Sequence, residues 1–189
     1  MAGLQKILDI HNINLSEYDV FIETGLYDGE NISSLFTKGY FNDIDTAYSI
    51  ELNAFFIEKA YKNFPFLKGS NVQLLNADSC SILNTITSSN SEKRILFWLD
   101  AHYSGGDTSK SDHYGECPII TEVESIKNLK EKPTIIIDDL GCFLYNTPFY
   151  YNNWPRIEEI IEMSNKYFEF EVFISDRDEK NQLHYCILS

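Results

Sequence analysis

Residues 95–102 read Ile95-Leu96-Phe97-Trp98-Leu99-Asp100-Ala101-His102. An unbroken apolar run of this length, closed by an acid, suits a strand buried on both faces. A second such run, Thr134-Ile135-Ile136-Ile137, ends at Asp138-Asp139. Between them, Pro118 precedes Ile119, Val123, Ile126 and Leu129 at helical spacing, and proline suits the first turn of a helix. Strand, helix and strand in this order imply a right-handed crossover and a parallel pair.

The same alternation extends outward in both directions. Toward the N-terminus, Val20-Phe21-Ile22, Thr46-Ala47-Tyr48-Ser49-Ile50 and Val72-Gln73-Leu74-Leu75 read as strands. Ile32, Leu35 and Phe36 mark one intervening helix; Phe55, Phe56, Lys59, Ala60 and Phe64 mark another, ended by Pro65. Asp78 or Ser79 can cap a third, running through Ile82, Leu83 and Ile86. Toward the C-terminus, Ile157, Ile160, Ile161 and Met163 mark a last helix. Segments 168–174 and 183–188 read as closing strands, and the short charged link at 175–181 makes them an antiparallel hairpin. The fold class is therefore α/β: a mostly parallel sheet with helices on both faces.

Composition narrows the function classes. The 189 residues carry 15 Lys+Arg against 29 Asp+Glu, a formal net charge of -14. Such a surface repels nucleic-acid backbones and anionic membranes and attracts cations. Cys80, Cys117, Cys142 and Cys186 are scattered without C-x-x-C or zinc-type spacing. Residues 1–10 lack the apolar core of a signal peptide, and no run reaches membrane-spanning length. The expectation is one cytoplasmic domain over 1–189, with reduced thiols, no nucleic-acid partner and no membrane partner.

Ligands of open α/β sheets bind at the carboxyl ends of the strands. Glu23, Glu51, Asp78, Asp100, Asp138 and Asp139 all fall at or just beyond such ends. Six acids on one sheet edge call for a polar ligand or a cation among them. Glu23-Thr24-Gly25-Leu26-Tyr27-Asp28-Gly29 is either a ligand-approaching turn or an ordinary strand-to-helix turn; its spacing is G-x-x-x-G, not G-x-G-x-x-G. Glu51 is placed to accept both hydroxyls of a ribose, or is a solvated strand end. Asp78 is a helix cap, an adenine acceptor, or both. Asp100 and His102 together suit metal binding, alone or beside a general base. Asp138-Asp139 suits a hard cation if Asp100 faces it from the next strand. The Gly-, Ser- and Tyr-rich stretch 101–117 reads as a long functional loop, with Tyr103, Asp107, His113 and Tyr114 as candidates for a lid or substrate wall. The aromatic segment 145–154 is a stacking platform, core, or a dimer contact. His11 and His184 read as structural or exposed.

The pieces FIETGLYDG, YSIELN, LLNADS, ILFWLDAHYSGG and TIIIDD, in that order, resemble the class I S-adenosylmethionine-dependent methyltransferases. The resemblance runs from about Asp19 to Leu188. It implies a Rossmann-like, doubly wound, seven-stranded sheet whose last strand is antiparallel. It further implies that Glu23, Thr24, Gly25 and Gly29 hold the methionine end of the cofactor. Glu51 would take the ribose, and Ala77 and Asp78 the adenine. The DAH and IDD pieces are similar to metal-dependent sugar O-methyltransferases of the macrocin and mycinamicin type. That likeness implies a divalent ion, magnesium by expectation, on Asp100, Asp138 and Asp139. It makes Asp100 and His102 the catalytic pair, with His102 as base, and a sugar or polyol hydroxyl the acceptor. Recognition of the acceptor would fall to the 101–117 loop, the 145–154 segment or a second subunit in a homodimer. The readings set against this are a non-catalytic binding module on the same fold and a metal-dependent hydrolase. A nicotinamide dehydrogenase is disfavoured by the missing third glycine.

Overall fold

A computed structural model describes residues 3–189. Seven strands form one sheet: β1 (Val20–Thr24), β2 (Thr46–Glu51), β3 (Val72–Asn76), β4 (Ile95–Leu99), β5 (Thr134–Asp138), β6 (Val172–Ile174) and β7 (Tyr185–Leu188). Their order is β3-β2-β1-β4-β5-β7-β6. The first five are parallel, and β7 runs antiparallel to both β5 and β6. The helices are α1 (Leu4–His11), α2 (Glu30–Thr37), α3 (Ala54–Asn63), α4 (Ser79–Ser89), α5 (Ile119–Ser125) and α6 (Ile157–Ser164).

Alternation along the strands divides the core in two. Ile95, Phe97 and Leu99 of β4, with Ile135 and Ile137 of β5, pack toward α4, α5 and α6. Leu96, Trp98 and Ile136 face the opposite layer, where Leu4, Ile7, Ile32 and Ala60 cover them. Burial on both faces is why these strands are apolar throughout. Asp78 caps α4 by accepting the Cys80 N–H at 3.1 Å, and Asn53 caps α3 through the Phe55 N–H at 3.0 Å.

The penultimate strand is shorter than its sequence suggests, beginning at Val172 rather than near Phe168. Upstream, the Asn165 side chain accepts the Phe170 N–H at 3.0 Å, which ties that backbone donor to the end of α6. Among the described residues no helix is long and apolar enough to cross a membrane.

Candidate active site

The carboxyl ends of β1, β2 and β4 open onto a cavity of about 690 Å³. Glu51 stands at its wall, mostly buried. One carboxylate oxygen accepts the Tyr27 N–H at 3.0 Å, the other the Asn53 N–H at 2.8 Å. Burial raises its pKa, and these backbone donors oppose the rise. Tyr27 adopts a left-handed backbone, φ 50°, to deliver its N–H. Five non-glycine residues have positive φ among the described residues. Three are asparagines and one is Asp139, residue types that tolerate it; Tyr27 is the exception, and it lines this cavity. The strain at Tyr27 is held by its N–H bond to Glu51.

Gly25 and Gly29 each make room for a neighbouring element of the fold. A Cβ on Gly25, φ 84°, would lie 2.3 Å from the Asp100 carbonyl oxygen. The glycine lets the β1 turn cross the end of β4, and only then does it reach the cavity. A Cβ on Gly29 would lie 2.9 Å from Ala60 Cβ, so this glycine lets α2 approach α3. Neither Gly29, Thr24 nor Glu23 lines the cavity, whereas Gly25, Glu51, Ala77 and Asp78 do. Thr24 is buried, and its carbonyl accepts the Asp100 N–H at 3.0 Å. Glu23 is buried between strands, accepts the Ser49 hydroxyl, and has its other oxygen unpartnered. Burial pushes its pKa to about 8.

At the β4 and β5 ends, Asp100, His102 and Asp139 converge, with one donor atom from each within 4.8 Å of the others. His102 Nε2 lies 3.0 Å from Asp139 Oδ2 and 3.5 Å from Asp100 Oδ1. The imidazole is itself buried against Trp154 and Phe143. The hydrogen bond from His102 holds the Asp139 carboxyl below the usual range. Burial, then the charges of Asp138 and Asp139, hold Asp100 well above it. Asp138 stays outside the converging trio; its Oδ1 is buried without a partner, and burial and the Asp139 charge push it to about 7.

The 101–117 loop folds over the cavity. Its ends are tied by the Tyr103 N–H to the Glu116 carbonyl at 2.8 Å, and Ser111 and Gly115 exchange backbone hydrogen bonds of 3.1 Å. The Ser111 hydroxyl donates to Asp78 Oδ2, so the loop engages the residue expected at the adenine. Asp107 lines the cavity; Tyr103, His113 and Tyr114 do not. Next to the acid–imidazole group lies a second cavity of about 250 Å³, walled by Phe149, Tyr151 and Trp154 and sharing His102 and Asp139 with the first. Trp154 stacks on Tyr151 with centroids 4.6 Å apart.

Glu122 was not singled out by sequence. It is buried on α5 with one oxygen unpartnered, and burial pushes its pKa to about 7. The sequence does carry a sign of it: Glu122 falls on the stripe Ile119, Val123, Ile126, where an acid is out of place. Tyr27 and Ser111 carry no such sign, because backbone strain and a loop contact have no periodicity.

No family model matches the chain, and neither does the sequence of any curated protein. Solved structures match it in shape. The O-methyltransferase TomG of Streptomyces achromogenes, solved with SAM, superposes with a TM-score of 0.68 at 14% identity, over 100% of this chain and 79% of its own. Precorrin-6y C5,15-methyltransferase of Geobacter metallireducens gives 0.56 at 12% identity, over 96% and 86%. Spermidine synthase of Thermotoga maritima gives 0.60 at 14% identity, over 93% of this chain and 55% of its own, so the chain spans about half the length of that synthase. Strand order, the antiparallel β7 and these superpositions agree that the chain has the seven-stranded Rossmann-like fold of the class I S-adenosylmethionine-dependent methyltransferases.

Proposed function

We propose that the chain is an S-adenosylmethionine-dependent O-methyltransferase, assisted by a divalent cation, acting on a hydroxyl of a sugar or polyol. One observation carries the reading. Glu51 and Asp78 line the same cavity as the Asp100, His102 and Asp139 group. A nucleoside clamp and a cation-attracting centre thus face one space.

The oxygens of Glu51, fixed by two backbone donors, keep lone pairs for ribose hydroxyls. Asp78 and Ala77 border the place for the base. Asp100, His102 and Asp139 fit a divalent ion: two carboxylates crowd one imidazole, and Asp138 adds a third acid behind them. An imidazole in the donor set favours Mn²⁺ over Mg²⁺, which prefers oxygen ligands. Such an ion would supply Lewis acidity to an acceptor oxygen. With the cofactor bound, the acceptor oxygen would bond to the methyl carbon as the carbon–sulfur bond breaks and S-adenosylhomocysteine leaves, and the hydroxyl proton would pass to a base. His102 takes that proton if its Nε2 stays off the ion. If it binds the ion, one of the carboxylates beside it must act instead. The second cavity seats the acceptor, with a pyranose-sized ring against Tyr151 and Trp154 and its hydroxyls toward Asp139.

Titration calorimetry with S-adenosylhomocysteine, in Mn²⁺ and again in EDTA, tests the reading. The expected result is a dissociation constant of about micromolar order, weakened roughly tenfold in Glu51→Gln. Hydroxylated acceptors would then be screened with a labelled methyl donor. Absence of binding in both buffers overturns the proposal. Cation binding without cofactor binding would favour a metal-dependent hydrolase.

A further inference from the structure

One hydroxyl of the 101–117 loop fixes the acid that borders the place for the base. Asp78 stands just past β3 and uses one carboxylate oxygen to cap α4, taking the Cys80 N–H at 3.1 Å. A single bond of this kind leaves a carboxylate free to turn about it. The second oxygen takes the Ser111 hydroxyl, from 33 residues further along the chain, and two bonds set the carboxylate plane. Ser111 is itself held. Its side-chain oxygen accepts the His113 N–H at 3.2 Å and the Tyr114 N–H at 3.0 Å, and its backbone exchanges two hydrogen bonds of 3.1 Å with Gly115. A hydroxyl has one proton and two lone pairs, so the Ser111 side chain is fully engaged and has nothing left for a ligand. Asp78 is different: a carboxylate accepts about four hydrogen bonds, and its oxygens take two. Both residues line the main cavity, whose volume of about 690 Å³ is what remains with the loop docked. That is room for a nucleoside ligand, so a base need not dislodge Ser111 to reach Asp78.

We propose that Ser111 is a positioning residue for cofactor selectivity: by fixing Asp78 it aims the remaining lone pairs at an amino group on the base, and so favours adenine over hypoxanthine. The inference rests on the cofactor reading above and extends it. An ionised carboxylate only accepts hydrogen bonds. The amino group of adenine donates. Hypoxanthine carries a carbonyl oxygen at the same ring position, which would face the Asp78 lone pairs instead. Its nearest N–H is one ring atom away, and only a carboxylate free to turn can follow it there. A site built to meet one donor strongly rejects the analogue that lacks it, because the acceptor is left unpaired. Ser111 therefore sets how strictly the base is read, although it offers the base nothing itself.

Titration calorimetry of the full chain with S-adenosylhomocysteine and with S-inosylhomocysteine tests it. The parent should bind the adenosyl compound about thirtyfold more tightly. Ser111→Ala should narrow that ratio to about fivefold, and Ser111→Thr, which keeps the hydroxyl, should hold the parent ratio. Asp78→Asn should narrow it too, because an amide presents a donor as well as an acceptor. An unchanged ratio in Ser111→Ala, with both ligands weakened alike, reduces Ser111 to a structural contact and overturns the inference. Tighter S-adenosylhomocysteine binding by Ser111→Ala also overturns it, because the loop would then compete with the base. A parent that binds both compounds equally overturns the inference and leaves the cofactor reading standing. A parent that binds neither removes both.

Discussion

The two ends of the cavity hold their acids in opposite ways. At the β1–β2 end, Glu51 has a backbone N–H on each oxygen. At the β4–β5 end, Asp100 and Asp139 share one imidazole, and a buried oxygen of Asp138 beside them has nothing. The first end is complete within the chain and presents a finished acceptor surface. The second is electrostatically unfinished: burial, then the charges of its neighbours, raise the Asp100 pKa, which is free energy a cation would recover. An end that pre-arranges hydrogen bonds suits a ligand that must be positioned. An end that stores repulsion suits an ion.

The sharpest way to break this contrast is Asp100→Asn. Losing one carboxylate from the trio should weaken Mn²⁺ binding by about a hundredfold. In metal-free buffer the same variant should melt at a higher temperature than the parent, because it relieves like-charge crowding. Calorimetric titration and thermal unfolding of the one variant read both effects. Unchanged metal affinity, or a lowered melting temperature without metal, would show that the acids are held by the chain alone.

A second, smaller effect belongs to the layer beneath. Glu23 titrates near 8 when folded, against an ordinary value of 4.5. The folded state thus holds more protons than the unfolded one between these values, and stability falls as pH rises from about 4.5 to about 8. Glu122 and Asp138, each pushed to about 7, add to the fall. Glu23→Gln keeps a partner for the Ser49 hydroxyl and removes the buried charge. It should match the parent near pH 4 and exceed it by on the order of 2 kcal/mol at pH 9. The shallower slope appears in urea unfolding across that range; parallel curves for the two proteins would mean Glu23 stays ionised in the fold.

Much of this organisation was legible in the sequence. The apolar runs ending at Leu99 and Ile137 each stop at an acid, because strands buried on both faces end where the sheet meets solvent. The same alternation located the ends of all five parallel strands and the edge on which the cavity lies. What it did not locate depends on direction. Asp138 sits beside Asp139 in sequence, but successive residues at a strand end point in different directions, so neighbours in the chain part company in space. Gly25 and Gly29 look alike in the sequence, yet one makes room for a neighbouring strand and the other for a helix. The length of β6 was overestimated because Phe168 and Phe170 have strand chemistry, while the Asn165 side chain that claims the Phe170 N–H is a tertiary detail.

The smallest effect distinguishes the acceptor side from the cofactor side. Tyr151 is 44% exposed and lies nearly parallel to Trp154, with an interplanar angle of 24°. Trp154 is buried and also contacts His102, so its removal would disturb the acid–imidazole group as well. Tyr151 touches only the outer side of the stack, which makes it the cleaner probe. Tyr151→Ala should cost acceptor binding about 1 kcal/mol, roughly a fivefold rise in KM, with S-adenosylhomocysteine affinity unchanged. Tyr151→Phe, which keeps the ring, should restore the parent value if stacking is what the residue supplies. A fall in cofactor affinity would place Tyr151 in the other half of the cavity, and loss of acceptor binding in both variants would assign the contact to its hydroxyl.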